Sequence, residues 1–250
     1  MCLILFAVDA SPRHRLILAA NRDEFFSRST EPVHAWPDLP IIGGRDLQAG
    51  GTWMGVSTVG TRRLAAVTNV RDGVAQPMPD KRSRGTLPVE FLTSGESARA
   101  SADELVESAT DYAPVNLIVD DGTDTYWATN HPEPQLRRVE PGVHGLSNGL
   151  LDEPWPKVTR GVTALGTHLD AEPYVLLDLL HDTTIADDAA LPHTGVSRKQ
   201  ERALSPMFID TGDYGTRAST VVRIGHDGHG DITERRYAHG QQPRTLALEF

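Results

Sequence analysis

Met1-Cys2-Leu3-Ile4-Leu5-Phe6-Ala7-Val8 opens the chain, and its reading decides the fold. Residues 3–8 are short, apolar and ended by Asp9-Ala10-Ser11-Pro12, the pattern of a buried strand. Arg15-Leu16-Ile17-Leu18-Ala19-Ala20 is a second apolar run after a short polar link, so the two are expected to pair as an antiparallel hairpin. Cys2, the only cysteine, stands at the head of the first strand. Were Met1 removed, one residue would carry both a thiol and a free α-amine. The thiolate is the reactive form of cysteine, and an α-amine titrating at about 7.7–8.0 can take the thiol proton. N-terminal threonine nucleophiles work on the same logic. The alternative is a buried first strand whose cysteine is only a small hydrophobe.

The second strand runs directly into Asn21-Arg22-Asp23-Glu24, a polar tetrad that the hairpin would bring to the same end of the sheet as Cys2. Pro32, Trp36, Pro37 and Pro40 suggest a loop crossing the surface. Gly50-Gly51 ahead of Thr52-Trp53 permits close backbone approach, and no Gly-Lys-Ser/Thr follows to make a phosphate loop. Residues 52–57 and 63–68 read as strands. The second ends at Asn69, an amide that can donate to a developing oxyanion or form a turn.

Residues 77–84 form a polar loop whose basic cluster, Lys81, Arg82 and Arg84, could meet an anionic substrate. Helices are expected at 86–93, at 102–109, from Pro154 to about His168, and at 173–181. Residues 116–119 and 125–128 make a hairpin about Asp120-Asp121-Gly122, with a further short strand near 136–139. Residues 183–199 are polar and irregular, as in a surface insertion. Strands return at 207–209, 214–224 and 232–237. Arg217 follows the Gly212-Asp213-Tyr214-Gly215 turn as a permanently charged cation.

This order of strands, helices, strands, helices and strands, joined mostly by short turns, reads as one α+β domain over residues 1–250 with largely antiparallel sheets. A net charge of -10 argues against nucleic acid as the main partner. A single cysteine excludes an internal disulfide framework. No apolar stretch approaches the roughly 20 residues of a membrane span. The start lacks a basic region, and Arg13, His14 and Arg15 interrupt it, so no signal peptide is expected and a cytoplasmic location fits best. His181 and His193 lack a metal-binding spacing, and no metal is expected.

Six motifs resemble, in order and over nearly the whole chain, the NRDE family, also called the transport and Golgi organisation 2 (TANGO2) family. They are Met1-Cys2, Asn21-Arg22-Asp23-Glu24, Gly50-Gly51-Thr52-Trp53, Thr68-Asn69, Gly145-Leu146-Ser147-Asn148 with Pro154-Trp155-Pro156-Lys157, and Tyr214-Gly215-Thr216-Arg217. Ala218 stands where the family is expected to favour Ser. The family is similar in turn to the N-terminal nucleophile (Ntn) hydrolases. The resemblance therefore implies a four-layer αββα sandwich of two mainly antiparallel sheets.

Analogy with the choloylglycine hydrolase and penicillin acylase branch, whose mature enzymes begin with Cys, implies a catalytic set of Cys2, Asp23, Asn69, Asn148 and Arg217. In this scheme Cys2 attacks a carbonyl and its own amine shuttles the proton. Asp23 holds that amine, Asn69 binds the oxyanion and Asn148 orients the amine or acyl group. Arg217, with Arg22, stabilises the thiolate. Asn21, Arg22, Glu24 and Trp53 are expected to bind substrate. In that branch Arg, Asn and Asp are spaced apart, whereas here Asn21, Arg22 and Asp23 are contiguous. Strand alternation puts Asn21 and Asp23 on one face and Arg22 on the other, leaving open which faces Cys2. The implied activity is cofactor-free hydrolysis of an acyl amide or thioester. The alternative is a carrier of haem or of acyl-CoA and lipid in the same pocket.

Overall fold

The computed structural model describes residues 2–74, 78–238 and 240–250. Met1 and Pro77, which figure in the expectations above, lie outside the described residues. The chain begins with β1 (Cys2–Val8), β2 (His14–Phe25), β3 (Thr30–Ala35), β4 (Ile41–Asp46), β5 (Met54–Ser57) and β6 (Leu64–Asn69). Helices α1 (Thr86–Thr93) and α2 (Ala98–Glu107) follow. Next come β7 (Val115–Asp120), β8 (Thr125–Thr129), β9 (Gln135–Arg138) and β10 (Gly142–Leu146). After α3 (Pro156–Gly166), α4 (Pro173–Leu179) and α5 (Arg198–Ala203), the chain ends in β11 (Tyr214–Gly225), β12 (Gly230–Arg236) and β13 (Arg244–Glu249).

The strands form two sheets, ordered β10-β1-β2-β11-β12-β13 and β3-β4-β5-β6-β7-β8-β9. Every neighbouring pair is antiparallel. The unbroken apolar run of β1 has a direct cause: both its faces are covered. Ile4, Phe6 and Val8 pack between the sheets with Leu18, Met54, Val56 and Ile118. Leu3, Leu5 and Ala7 point the other way, onto Val158, Leu165 and Leu176 of α3 and α4. Phe91, Leu105 and neighbours from α1 and α2 cover the outer face of the second sheet. The result is the four-layer αββα sandwich. Each such Leu or Phe, fully buried, contributes about 1.5–3 kcal/mol. At Gly161 of α3 a Cβ would come within 2.6 Å of the Leu5 side chain, so helix and sheet meet at this distance only through a glycine.

Four local expectations are corrected. The loop expected through Pro32, Trp36, Pro37 and Pro40 is confined to residues 36–40, between β3 and β4. Pro32 sits on β3, the edge of its sheet, where a missing N–H costs no ladder bond. Trp36 is buried, its Nε1 donating to Gly43 O at 3.0 Å. Residues 183–199 are more than a surface insertion, since Ala186 and Leu191 are buried. Residues 207–209 form no strand, only a bridge from Asp210 to Gly215 beyond them. Helix α2 starts earlier than expected because Ser97 caps it, accepting from the Ala100 N–H.

Candidate active site

The hairpin register fixes the site. Cys2 of β1 pairs with Arg22 of β2, so the two side chains share the face turned toward the second sheet. On the other flank of β2, Thr216 pairs with Asp23 and Ala218 with Arg22, leaving Arg217 as the extra residue of a bulge. The tetrad thus alternates as expected. Arg22 faces the cavity beside Cys2, while Asn21 turns to the helix layer.

Cys2 is only 7% exposed. Burial pushes its thiol above the ordinary range and the Asp23 charge adds to this, while Arg22 and the backbone N–H of Asp23, which donates to the sulfur, work the other way. Asp23 is buried, and its Oδ1 accepts from Thr216 Oγ1 at 2.7 Å. The Tyr214 hydroxyl donates to Asp23 O at 3.1 Å. Burial raises the Asp23 carboxyl, partly offset by Lys157, the Thr216 hydroxyl and Arg22.

A second group arrives from the sheet opposite. Thr68 and Asn69 end β6, and Ser147 and Asn148 follow β10, on the first sheet. Thr68 Oγ1 donates to Ser147 O at 2.8 Å. Asn148 Nδ2 donates to Asn69 O at 3.0 Å and to Asn69 Oδ1 at 3.1 Å. Ser147 Oγ reaches Cys2 O at 3.4 Å. The two motifs bridge the sheets at the Cys2 end and fix the Asn69 amide. Among the described residues its Nδ2 is spent only on a long 3.5 Å contact to Val70 O, leaving a donor at the cavity wall.

Cys2, Arg22, Asp23, Glu24, Trp53, Asn69 and Arg217 line one cavity of about 480 Å³. Among the described residues, seven arginines and Lys81 line it against five carboxylates, in a chain whose net charge is -10. Some of this charge is spent: Arg28 pairs with Asp46 at 2.6 Å, and Arg22 lies 3.6 Å from both Glu24 and Asp46. Arg84, Arg217 and Arg236 are instead held by neutral oxygens: Pro114 O, the carbonyls of Phe25 and Arg28, and Thr30, respectively. Among the described residues, Arg22 Nη1 is buried without a hydrogen-bond partner. The loop that carries Arg84 is seated by Gly51, where a Cβ would lie 2.3 Å from Gly85 O.

Three expectations about individual residues change. Asn21 does not reach the cavity; it is fully buried, donating to Leu180 O and Met207 O and accepting from Ser219. Asn148 touches Asn69 rather than the cavity, and so acts by placing that amide. Arg217 lines the cavity but grips the 25–28 turn, and Arg22 is the guanidinium set against the sulfur. Arg84, expected to meet an anionic substrate, does line the cavity, whereas Thr216, Tyr214 and the buried Lys157 stood in the quoted motifs without a role. Sequence reasoning missed the Arg71–Glu201 pair, 2.7 Å apart, which braces the chain next to Asn148. No spacing rule marks a lysine or an ion pair for burial. Among the described residues, no group of three or more His, Cys, Asp and Glu side chains could hold a metal ion.

A family model, transport and Golgi organisation 2, matches residues 1–239. The chain belongs to that family. The human Transport and Golgi organization protein 2 homolog is 34% identical over 261 residues, covering 94% of this chain and 92% of its own length. The mouse homolog is 33% identical with the same coverage. The Drosophila melanogaster protein of the same name is 30% identical over 180 residues, covering 64% of this chain and 62% of its own. Among solved structures, a Caenorhabditis elegans N-acylethanolamine-hydrolyzing acid amidase ortholog superposes with a TM-score of 0.54. That match has 11% identity and covers 88% of this chain and 92% of that one. At that identity the likeness concerns the fold alone, which the two chains share. No helix among the described residues is long and apolar enough to cross a membrane.

Proposed function

We propose that the protein is an N-terminal-cysteine hydrolase that cleaves the C–N bond of an acyl amide, or the C–S bond of a thioester, in an anionic substrate. The observation that carries the reading is the convergence on the Cys2 sulfur of the Arg22 charge and the Asp23 N–H, with the Asn69 amide in the same cavity. The shared fold with an amidase is consistent with it.

The chemistry runs in two balanced halves. Removal of Met1 frees the α-amine of Cys2. The sulfur bonds to the substrate carbonyl carbon as the thiol proton passes to that amine, and the carbonyl oxygen becomes an oxyanion. Asn69 Nδ2 donates to it, an interaction worth roughly 2.7–4 kcal/mol. The intermediate collapses, the C–N or C–S bond breaks, and the leaving group takes the proton from the ammonium. Water then adds to the acyl-cysteine, the same amine takes its proton, and the carboxylic acid leaves as the thiol is restored. Burial keeps the thiol neutral until a base is present, which suits a nucleophile activated only by processing.

Arg84, Arg217 and Arg236 favour a carboxylate or phosphate on the substrate. A non-catalytic carrier of acyl-CoA or lipid would use the same cations. A haem fits less well. Apolar lining is limited to Trp53, Val67, Met78 and small alanines, no histidine lines the cavity among the described residues, and its one soft ligand, the Cys2 thiol, is held neutral.

The test is a panel of acyl amides and thioesters in matched anionic and neutral pairs. Turnover is expected, with kcat/KM at least about tenfold higher for the anionic partner, the factor equivalent to 1.36 kcal/mol. Ligand retention with no turnover on any member would reject the hydrolase reading in favour of the carrier.

A further inference from the structure

The pairing registers lay one row of side chains across the first sheet. Cys2 of β1 pairs with Arg22 of β2, Arg22 with Ala218 of β11, Ala218 with Arg236 of β12, and Arg236 with Arg244 of β13. Paired residues share a face, and so do residues an even number of places apart on one strand. The face is the inner one: Ile4, Ala20, Val222, Ile232 and Leu248, each an even step from the row on its own strand, pack in or against the core between the sheets. Cys2, Arg22, Ala218 and Arg236 line the cavity, and Arg244 is exposed beyond them.

Charge along this row is matched at one end and not at the other. Near Cys2, Arg22 lies 3.6 Å from both Glu24 and Asp46. At the far end two arginines stand directly opposite each other, an arrangement that is destabilising by itself. Arg236 Nη2 donates across the gap between the sheets to Thr30 O at 3.0 Å and Thr30 Oγ1 at 3.1 Å, and among the described residues no carboxylate forms an ion pair with either arginine. The carboxyl two places before Arg236, that of Glu234, is turned to β3, its Oε1 accepting from the Val33 N–H at 2.9 Å. Between the two ends Ala218 offers only a methyl group, so the floor is low and an extended chain can cross it.

We propose that Arg236 and Arg244 form a distal anion subsite that selects elongated substrates, with a terminal carboxylate or phosphate three to four strand spacings, about 14–19 Å, from the carbonyl at Cys2. The proposal rests on the hydrolase reading only for where that carbonyl lies. An anion between the two guanidiniums relieves their repulsion, and there it meets less competition from carboxylates than beside Arg22.

The test is a series of ω-carboxyacyl thioesters whose carboxylate lies one to four strand spacings, about 5–19 Å, from the thioester carbonyl, each beside its uncharged methyl ester. The readout is the carboxylate-to-ester ratio of kcat/KM at each length, which cancels the gain from added methylenes. Where the protein binds without turnover, the ratio of affinities replaces it. The ratio is expected to peak at three to four spacings, at least about tenfold above the shortest member, as charged hydrogen bonds require. Arg236→Gln should abolish the peak. Arg244→Gln, at an exposed position, should lower it by about threefold, the scale of an exposed ion pair, and this arm stands even where Arg236→Gln fails to fold. A ratio independent of length, or a peak unmoved by Arg244→Gln, overturns the proposal. Turnover with a flat ratio would reject the subsite alone. A length-dependent ratio of affinities with no turnover on any member would support the subsite and reject the hydrolase reading alone.

Discussion

Cys2→Ala is expected to bring hydrolysis of every substrate in the panel down to the uncatalysed background while leaving the fold intact. The reason is the scarcity of substitutes. The hydroxyls lining the cavity belong to Thr30, Thr52, Thr68 and Ser83. Thr52 and Thr68 donate to backbone carbonyls, Thr30 accepts from Arg236, and Ser83 accepts from the Gly85 N–H. Among the described residues, no histidine lines the cavity to serve them as base. The change removes one buried sulfur, so stability should fall by no more than about 1 kcal/mol. Steady-state assays paired with urea unfolding separate the two effects. Wild-type turnover in the alanine variant would remove Cys2 from the chemistry.

Much of this site was legible before any coordinates. The hairpin of β1 and β2 could be read because two short apolar runs flank a polar turn, and that pairing alone brings the tetrad to Cys2. Asn69 and Asn148 could be named from their motifs, but not the bond between them, because sheet-to-sheet contact leaves no local pattern. Arg217 was identified but not its bulge, which depends on how β11 meets β2. Pro37 and Pro40 mark the connection between β3 and β4 as expected, but Pro32 misled, because an edge strand tolerates a proline. β13 went unseen because it is short, mostly exposed and lies at the sheet edge.

Glu201→Ala is expected to destabilise the protein by about 3–5 kcal/mol, the usual cost of stripping one partner from a buried ion pair. Arg71 and Glu201 have side chains only 6% and 4% exposed. The guanidinium also bonds Thr194 Oγ1 at 2.8 Å and lies 4.9 Å from the Trp155 ring. Removing the carboxylate leaves that charge in a low-dielectric setting. The effect should reach the site, because the Arg71 N–H donates to Asn148 O at 2.7 Å and Asn148 places Asn69. The double variant Arg71→Met with Glu201→Leu should recover most of the lost stability, since an apolar pair of similar volume carries no desolvation cost. Urea titration measures both. A loss below about 1 kcal/mol, the range of surface pairs, would show that the pair does not brace this region.

The central claim is that one residue supplies both nucleophile and base. Intact-mass analysis of the wild-type protein, acid-quenched seconds after mixing with an anionic acyl thioester, tests it most directly. The account predicts a chain lacking Met1 that carries a single acyl group, mapped by fragmentation to Cys2 and absent from Cys2→Ala. An active protein that retains Met1, or an acyl group mapped to any other residue, would contradict it.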